Sequence, residues 1–137
     1  MILATLLLAA AQVTTGQSFT CTVIRVHDGD GPLHCREGMK IRIAGVQAVD
    51  FESASPCRER KPGYVCDDRR AQAAQRITAG LTLNKRLTCT SVGRSYDRVV
   101  ARCWLSDNRS LSCAVIARGA ATRWESFWRE YRMGECR

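Results

Sequence analysis

The sequence predicts a mainly β protein with α elements: a five-stranded, OB-like antiparallel barrel with about three helices. Three observations lead there. Short extended runs at Phe19 to Val26, Pro32 to Cys35 and Lys40 to Val46 are joined by tight turns, which makes a meander. One helical stretch then precedes two further extended runs. Two more helical stretches close the chain, completing the order strand, strand, strand, loop, helix, strand, strand, helix, helix. Such a fold assigns no function by itself.

Each element has a local cause. Phe19 to Val26 alternates, with Thr20, Thr22 and Ile24 toward one side and Cys21, Val23 and Arg25 toward the other. His27-Asp28-Gly29-Asp30-Gly31 follows as an acidic turn, and Asp-Gly is a common hairpin turn in its own right. Pro32 to Cys35 returns, and Arg36-Glu37-Gly38 turns again. In the third strand Ile41 and Ile43 share one face and Arg42 takes the other. Gln47 to Val65 is irregular and long enough to be functional or to need a staple.

Asp67 and Asp68 then cap a helix that carries Ala71, Ala74, Ile77 and Thr78 along one side, with Gly80 as its stop. Leu81 to Thr90 is the fourth strand, Val92 to Ser95 a turn, and Val99 to Leu105 the fifth strand. Ser110 to Arg118 is a short helix ended by Gly119. Trp124, Phe127, Trp128 and Tyr131 recur at i, i+3, i+4 and i+7, which is a helix with one aromatic face. Such a stripe can stack nucleobases, but it is more often core, and it is expected to close the bottom of the domain.

The chain of 137 residues is one domain with room for a core. Ile2 to Ala11 is almost unbroken Leu, Ala and Ile, with Ala9 and Ala11 in small-x-small order; no positive residue precedes it. It reads as the core of a secretory signal, too short to span a bilayer. Residues 1–18 are therefore expected to be a signal peptide and 19–137 the folded domain, secreted or periplasmic, with no membrane association after cleavage. All eight cysteines lie beyond the signal, and an even number in a small exported chain reads as disulfides. Zinc is the weaker reading, because no Cys-x-x-Cys occurs and both histidines, His27 and His34, sit at one end. The net charge of +8 rests on 18 arginines against three lysines. A guanidinium fork suits bidentate phosphate contact, so nucleic acid, DNA or RNA, is the natural partner; a basic balance alone also serves solubility. Nothing demands more than a monomer.

Four charged residues fall where a barrel presents its binding surface. Asp30 leaves the first hairpin, Arg42 projects from the third strand, Asp50 begins the long loop and Arg98 opens the fifth strand. Phosphodiester hydrolysis can use two carboxylates with two arginines. A hard cation on carboxylate oxygens polarises the phosphate. Arginines neutralise charge growing on its oxygens, and a second carboxylate can activate water as general base. Four ordinary surface charges would share the same spacing.

These residues carry a resemblance. Val23 to Val46, with Asp28-Gly29-Asp30, Ile41-Arg42-Ile43 and Gly45-Val46, resembles the opening of the thermonuclease (staphylococcal-nuclease-like) family. Tyr96-Asp97-Arg98-Val99-Val100-Ala101-Arg102-Cys103 resembles that family's second signature, and Cys113 to Ala120 its second helix with the glycine stop. The resemblance runs from about Cys21 to Tyr131. It implies an OB barrel with three helices that cuts DNA and RNA with Ca²⁺ (Mg²⁺ is the alternative) and leaves 3′-phosphates. Asp30 then corresponds to the calcium-binding aspartate, Arg42 and Arg98 to the two phosphate-clamping arginines, and Asp50 to the general-base glutamate.

The sequence also departs from the family. Gly31 replaces the threonine of Asp-Gly-Asp-Thr, and Asp-x-Pro-Glu reads Gln47-Ala48-Val49-Asp50. Gln47 keeps at most a neutral carbonyl oxygen for the metal, which weakens calcium binding because affinity follows ligand charge. Asp50 is one methylene shorter than glutamate, and a misplacement of about 1 Å can cost on the order of a hundredfold in rate. Asp97, in place of glycine, could pair with Arg98 and blunt it, or add a metal ligand. A shifted register would make Glu52 the base, with Asp50 nearer the metal; it breaks the spacing from Gly45 and ranks second. Two readings follow: a secreted, disulfide-stabilised, metal-dependent nuclease, or a catalytically impaired nucleic-acid-binding barrel of the same fold. A small cysteine-rich structural or inhibitory protein is a distant third.

Eight cysteines allow about a hundred connectivities, so the pairing needs structure. A hairpin turning at Gly29 brings Cys21 beside Cys35, and one turning around Ser95 brings Cys89 opposite Cys103. Cys57 and Cys66 staple their own loop, leaving Cys113 to pair with Cys136. Each bridge closes a modest loop worth roughly 2–4 kcal/mol. Mass mapping of non-reduced peptides is expected to recover these four pairs; a Cys21–Cys57 or Cys35–Cys57 bridge would break the hairpin argument.

Overall fold

The computed structural model describes residues 12–137; the apolar run from Ile2 to Ala11, with the signal expected there, lies outside the described residues. The chain forms β1 (Ser18–Val26), β2 (Leu33–Cys35), β3 (Lys40–Ile43), β4 (Val46–Gln47), α1 (Ser55–Arg58), α2 (Asp68–Thr82), β5 (Arg86–Ser95), β6 (Arg98–Trp104), α3 (Leu111–Ala117), β7 (Thr122–Arg123) and α4 (Glu125–Glu130). Five strands close a barrel in the order β1-β2-β3-β6-β5, and β4 with β7 makes a separate two-stranded sheet. The fold is therefore the mainly β, OB-like barrel with helices that the sequence predicts.

It differs from the expectation in one pairing. β3 and β6 run parallel, Ile41 beside Val99 and Ile43 beside Ala101. A closed ring with an odd number of strands cannot reverse direction at every step, so at least one parallel pair is forced. The β1-β2-β3 meander and the β5-β6 hairpin take the antiparallel pairings, as does β5 on β1, and the seam falls between them.

Alternation fills the barrel. Cys21, Val23, Leu33, Ile41, Ile43, Leu87 and Ala101 are buried inside it, and each of the larger aliphatic side chains contributes about 1.5–3 kcal/mol on burial. Val13 is buried as well, and the Gly16 amide donates to the Ser91 carbonyl at 2.8 Å, so residues before β1 belong to the folded unit. The four disulfides are Cys21–Cys35, Cys57–Cys66, Cys89–Cys103 and Cys113–Cys136. Bridges at this density belong to oxidising compartments.

α2 starts where expected: the Asp67 side chain accepts from the Arg70 amide. It does not stop at Gly80. Leu81 and Thr82 are buried, and the Thr82 hydroxyl donates to the Thr78 carbonyl at 2.8 Å, so packing on the barrel carries the helix through a glycine that faces open space. The chain leaves instead at Asn84, in the left-handed region at φ 61. β5 accordingly starts later than expected and runs on to Ser95 across an irregularity between Ser91 and Gly93. The fourth helix, α1, is a single turn inside the long loop.

The acidic turn is wedged between α2 and the loop segments at Ala48 and Ala120. A Cβ at Gly29 would lie 2.7 Å from the Ala120 carbonyl oxygen, 2.8 Å from the Ala48 Cβ and 2.9 Å from the Ala74 Cβ. Only glycine lets β1 approach that closely. Gly29→Ala is therefore expected to lower stability by about 1–3 kcal/mol in urea denaturation. Gly80→Ala, facing open space within α2, is expected to raise it by up to roughly 1 kcal/mol.

Candidate active site

The seating of the turn fixes where its carboxyls lie. The buried Thr78 hydroxyl on α2 donates to the Gly29 carbonyl at 2.8 Å, and the Ile43 amide donates to the Asp30 carbonyl at 3.0 Å. Asp28 and Asp30 are both buried. The Asp30 amide donates to Asp28 Oδ1 at 3.2 Å, so Asp28 closes the turn. Asp30 Oδ2 accepts from the Ala48 amide at 3.0 Å and meets Arg42 Nη1 at 3.2 Å. Burial first, and then the charge of Asp30, pushes the Asp28 carboxyl up to about 9.

Arg42 stands on the outer face of the barrel because Ile41 and Ile43 point inward. Its Nη2 donates to the Val46 carbonyl at 3.2 Å, and its guanidinium carbon lies 5.5 Å from the centre of the Trp124 ring. Arg98 opens β6 and is held locally: Nε donates to the Ser95 carbonyl at 3.3 Å, Nη2 to the Ser95 hydroxyl at 3.1 Å, and the group lies 5.8 Å from the Tyr96 ring centre. Asp97, which also lines the cleft, forms its ion pair with a residue other than Arg98. It pairs with Lys40 at 3.0 Å, because the parallel β3-β6 register sets Lys40 beside the β5-β6 turn.

Asp50 forms a bridge with Cys66, and its carboxyl is pushed above the usual carboxylate range, by burial first and then by the charge of Asp30, with Arg42 opposing. Asp30, Arg42, Gln47, Asp50 and Arg98 all line one cleft of about 810 Å³. Glu52 is exposed, does not line it, and uses its amide to bind the Asp68 carboxylate at 2.8 Å, which removes support from the shifted register. The Gln47 amide donates to the Gly63 carbonyl at 3.4 Å, so its nitrogen is turned toward the loop.

The Asp30 carboxylate is the hard oxygen donor on hand for a cation. No group of three or more His, Cys, Asp or Glu side chains converges to hold one among the described residues. The donor chemistry thus suits a cation held by one or two carboxylates, with water and substrate oxygens completing its shell, more than an all-protein cage.

The far wall of the cleft is aromatic. Tyr64 meets Trp124 edge-on at 6.1 Å, Trp124 meets Phe127 edge-on at 4.9 Å, and Phe127 stacks on Tyr131 at 5.7 Å. The helical aromatic stripe is therefore not all core: Trp128 alone is buried, and Trp124, Phe127 and Tyr131 face the cleft. α4 spans only Glu125–Glu130, with Trp124 and Tyr131 at its caps; the i, i+3, i+4, i+7 spacing was the signal in the sequence, and it does not say which rings the docked helix buries. Tyr64 had no such signal, because the loop alone carries it to the wall.

Arg42→Ala would leave the buried Asp30 carboxylate without its cation, which costs on the order of 3 kcal/mol of folding stability. Adding Asp30→Asn to that variant is expected to recover part of the loss, measured by chemical denaturation as a double-mutant cycle. No family model and no curated protein matches the chain, so what the cleft does has to follow from its own geometry.

Proposed function

We propose that the chain is an exported, disulfide-stabilised nuclease of the thermonuclease-like kind, which hydrolyses phosphodiester bonds of DNA or RNA with a divalent cation, Ca²⁺ or Mg²⁺. One observation carries the reading: two carboxyls and two arginines from four separate segments, Asp30, Arg42, Asp50 and Arg98, line the same cleft. The apolar run at Ile2 to Ala11 and the four bridges support secretion or a periplasmic location. Asp30 would hold the cation, with Asp28 closing the turn beside it, and the cation would supply Lewis-acid polarisation of a phosphate oxygen.

The remaining chemistry belongs to the chain. Arg42 spends one nitrogen on Asp30 and another on Val46, and a guanidinium has five N–H donors, so it can still bind phosphate. Arg98 approaches from β6, bound to Ser95 and with no carboxylate ion pair among the described residues. Together they neutralise charge developing on the phosphoryl oxygens. Asp50 accepts the proton of the attacking water, and its raised proton affinity makes it a better base than an ordinary aspartate. Bases of an unpaired strand stack on Trp124, Phe127 and Tyr131, at roughly 1–3 kcal/mol each, which favours single-stranded substrate.

The second reading, a binding barrel without turnover, has one specific observation in its favour: Gln47 brings no charge to the cation and turns its amide to Gly63. One assay separates the two. Oxidised protein is incubated with single-stranded DNA, RNA and plasmid in Ca²⁺, Mg²⁺ or EDTA, beside Asp50→Asn and Arg98→Ala. The expected result is metal-dependent cleavage, fastest on single strands and reduced about a hundredfold or more by each substitution. Binding without cleavage in every metal would establish the second reading, and absence of binding at low salt would overturn both.

A further inference from the structure

Asp50 sits at the head of a segment with almost nothing to hold it. No residue from 49 to 70 is buried, and α1 buries no side chain. A carboxylate that must stay within a fraction of an ångström of its working position is thus carried by the least packed stretch of the domain. What it has instead is a closed circuit of local bonds. Leaving Asp50, the Ala54 amide donates to the Phe51 carbonyl at 2.9 Å and the Cys57 amide to the Ala54 carbonyl at 3.0 Å, two turns that lead straight to the Cys57 sulfur. The bridge crosses to Cys66. From both sides of Cys66 the chain returns to Asp50: the Asp50 amide donates to the Val65 carbonyl at 2.8 Å, and the Asp67 amide to the Asp50 carbonyl at 3.0 Å.

We propose that the Cys57–Cys66 bridge is a positioning device for Asp50, and that it completes this circuit so that the carboxyl is held in the cleft without a hydrophobic core. The inference rests on Asp50 being the base of the proposed reaction. The physical reason is entropic. The two Asp50 backbone bonds join residues none of which is buried, and such bonds break and reform readily unless something keeps their partners close. The bridge keeps them close, because it restricts how far Cys66 can move from the turns that begin at Asp50. The same ring carries Tyr64 against Trp124, so its closure also sets one edge of the aromatic wall. The two barrel bridges have no such duty: their cysteines are buried, and the surrounding ladders define the geometry.

The test is the Cys57→Ser/Cys66→Ser double variant beside wild type, with Cys89→Ala/Cys103→Ala as comparison, all assayed well below their melting temperatures. Amide exchange of Asp50 and Asp67 is expected to quicken at least about tenfold in the first variant while Ile41 and Val100 exchange as before. Its kcat on single-stranded DNA is expected to fall about a hundredfold, with KM changed less than about threefold, because Arg42 and Arg98 stand on barrel strands. The comparison variant is expected to lose melting temperature and keep kcat. Should the Cys57→Ser/Cys66→Ser variant not fold, brief treatment of native protein with a dithiol reads the same change. The dithiol gives two electrons, leaves as its own cyclic disulfide and converts the bridge to two thiols; exposed Cys66 and Cys136 react before the buried barrel cysteines, alkylation identifies which were reduced, and the same treatment of Cys113→Ser/Cys136→Ser protein isolates the loop bridge. Unchanged exchange at Asp50 and Asp67 would overturn the proposal, as would faster exchange with kcat intact. A wild type that cleaves in no metal would overturn the nuclease reading instead, and exchange would still report whether the bridge holds Asp50.

Discussion

The contact on which the rest of the site depends is the Asp30 carboxylate. It leaves the β1-β2 turn, takes the Ala48 amide and faces Arg42 on β3. One buried charge thereby ties the first hairpin, the third strand and the start of the long loop to a single point. An isolated carboxylate at that depth would be costly, and Arg42 with the Ala48 amide offsets the cost. The turn is in turn pinned from behind, by the close approach of Gly29 to Ala48, Ala74 and Ala120 and by the Thr78 hydroxyl. Stability and candidate chemistry therefore share the same few atoms.

The domain divides its tasks between two kinds of restraint. Inside the barrel, aliphatic packing and strand ladders decide the positions of Arg42 and Arg98, and two disulfides are added to a structure already determined. Outside it, between Val49 and Arg70, nothing is buried, and turns, exposed hydrogen bonds and one disulfide have to suffice. Asp50 lies at the border between the two regimes. Buried hydroxyls mark the same border elsewhere: Ser112 donates to the Ala44 carbonyl at 2.7 Å, fixing the corner at which β3 leaves the barrel.

Much of this could be read along the chain. The three-strand meander, the inserted helix capped by Asp67, the α3 cap and its exit at Gly119, and three of the four cysteine pairs follow from local patterns, because hairpins and helices are made of neighbours in sequence, and Cys113–Cys136 follows as the pair that remains. The residues singled out for the site, Asp30, Arg42, Gln47, Asp50 and Arg98, prove to line one cleft: Arg42, Gln47 and Arg98 sit on strands or at their ends, and Asp30 and Asp50 come from the connecting turn and loop beside them. The end of α2 was misjudged, since the buried Leu81 and Thr82 outweigh the propensity of Gly80.

By itself, then, the sequence determined the strands, their turns, the staples and which charged side chains stand outward, since all of these depend on periods of two and 3.6 and on short loops. Only the tertiary structure decided three things. Closing five strands into a ring forced the parallel β3-β6 seam, and that seam gave Asp97 to Lys40 rather than to Arg98. Docking a short α4 turned Trp124, Phe127 and Tyr131 toward the cleft and left Trp128 to the core. And the loop that has no core of its own delivered Tyr64 to the same wall. Each is a contact between segments far apart in sequence, where no local period carries information about the partner.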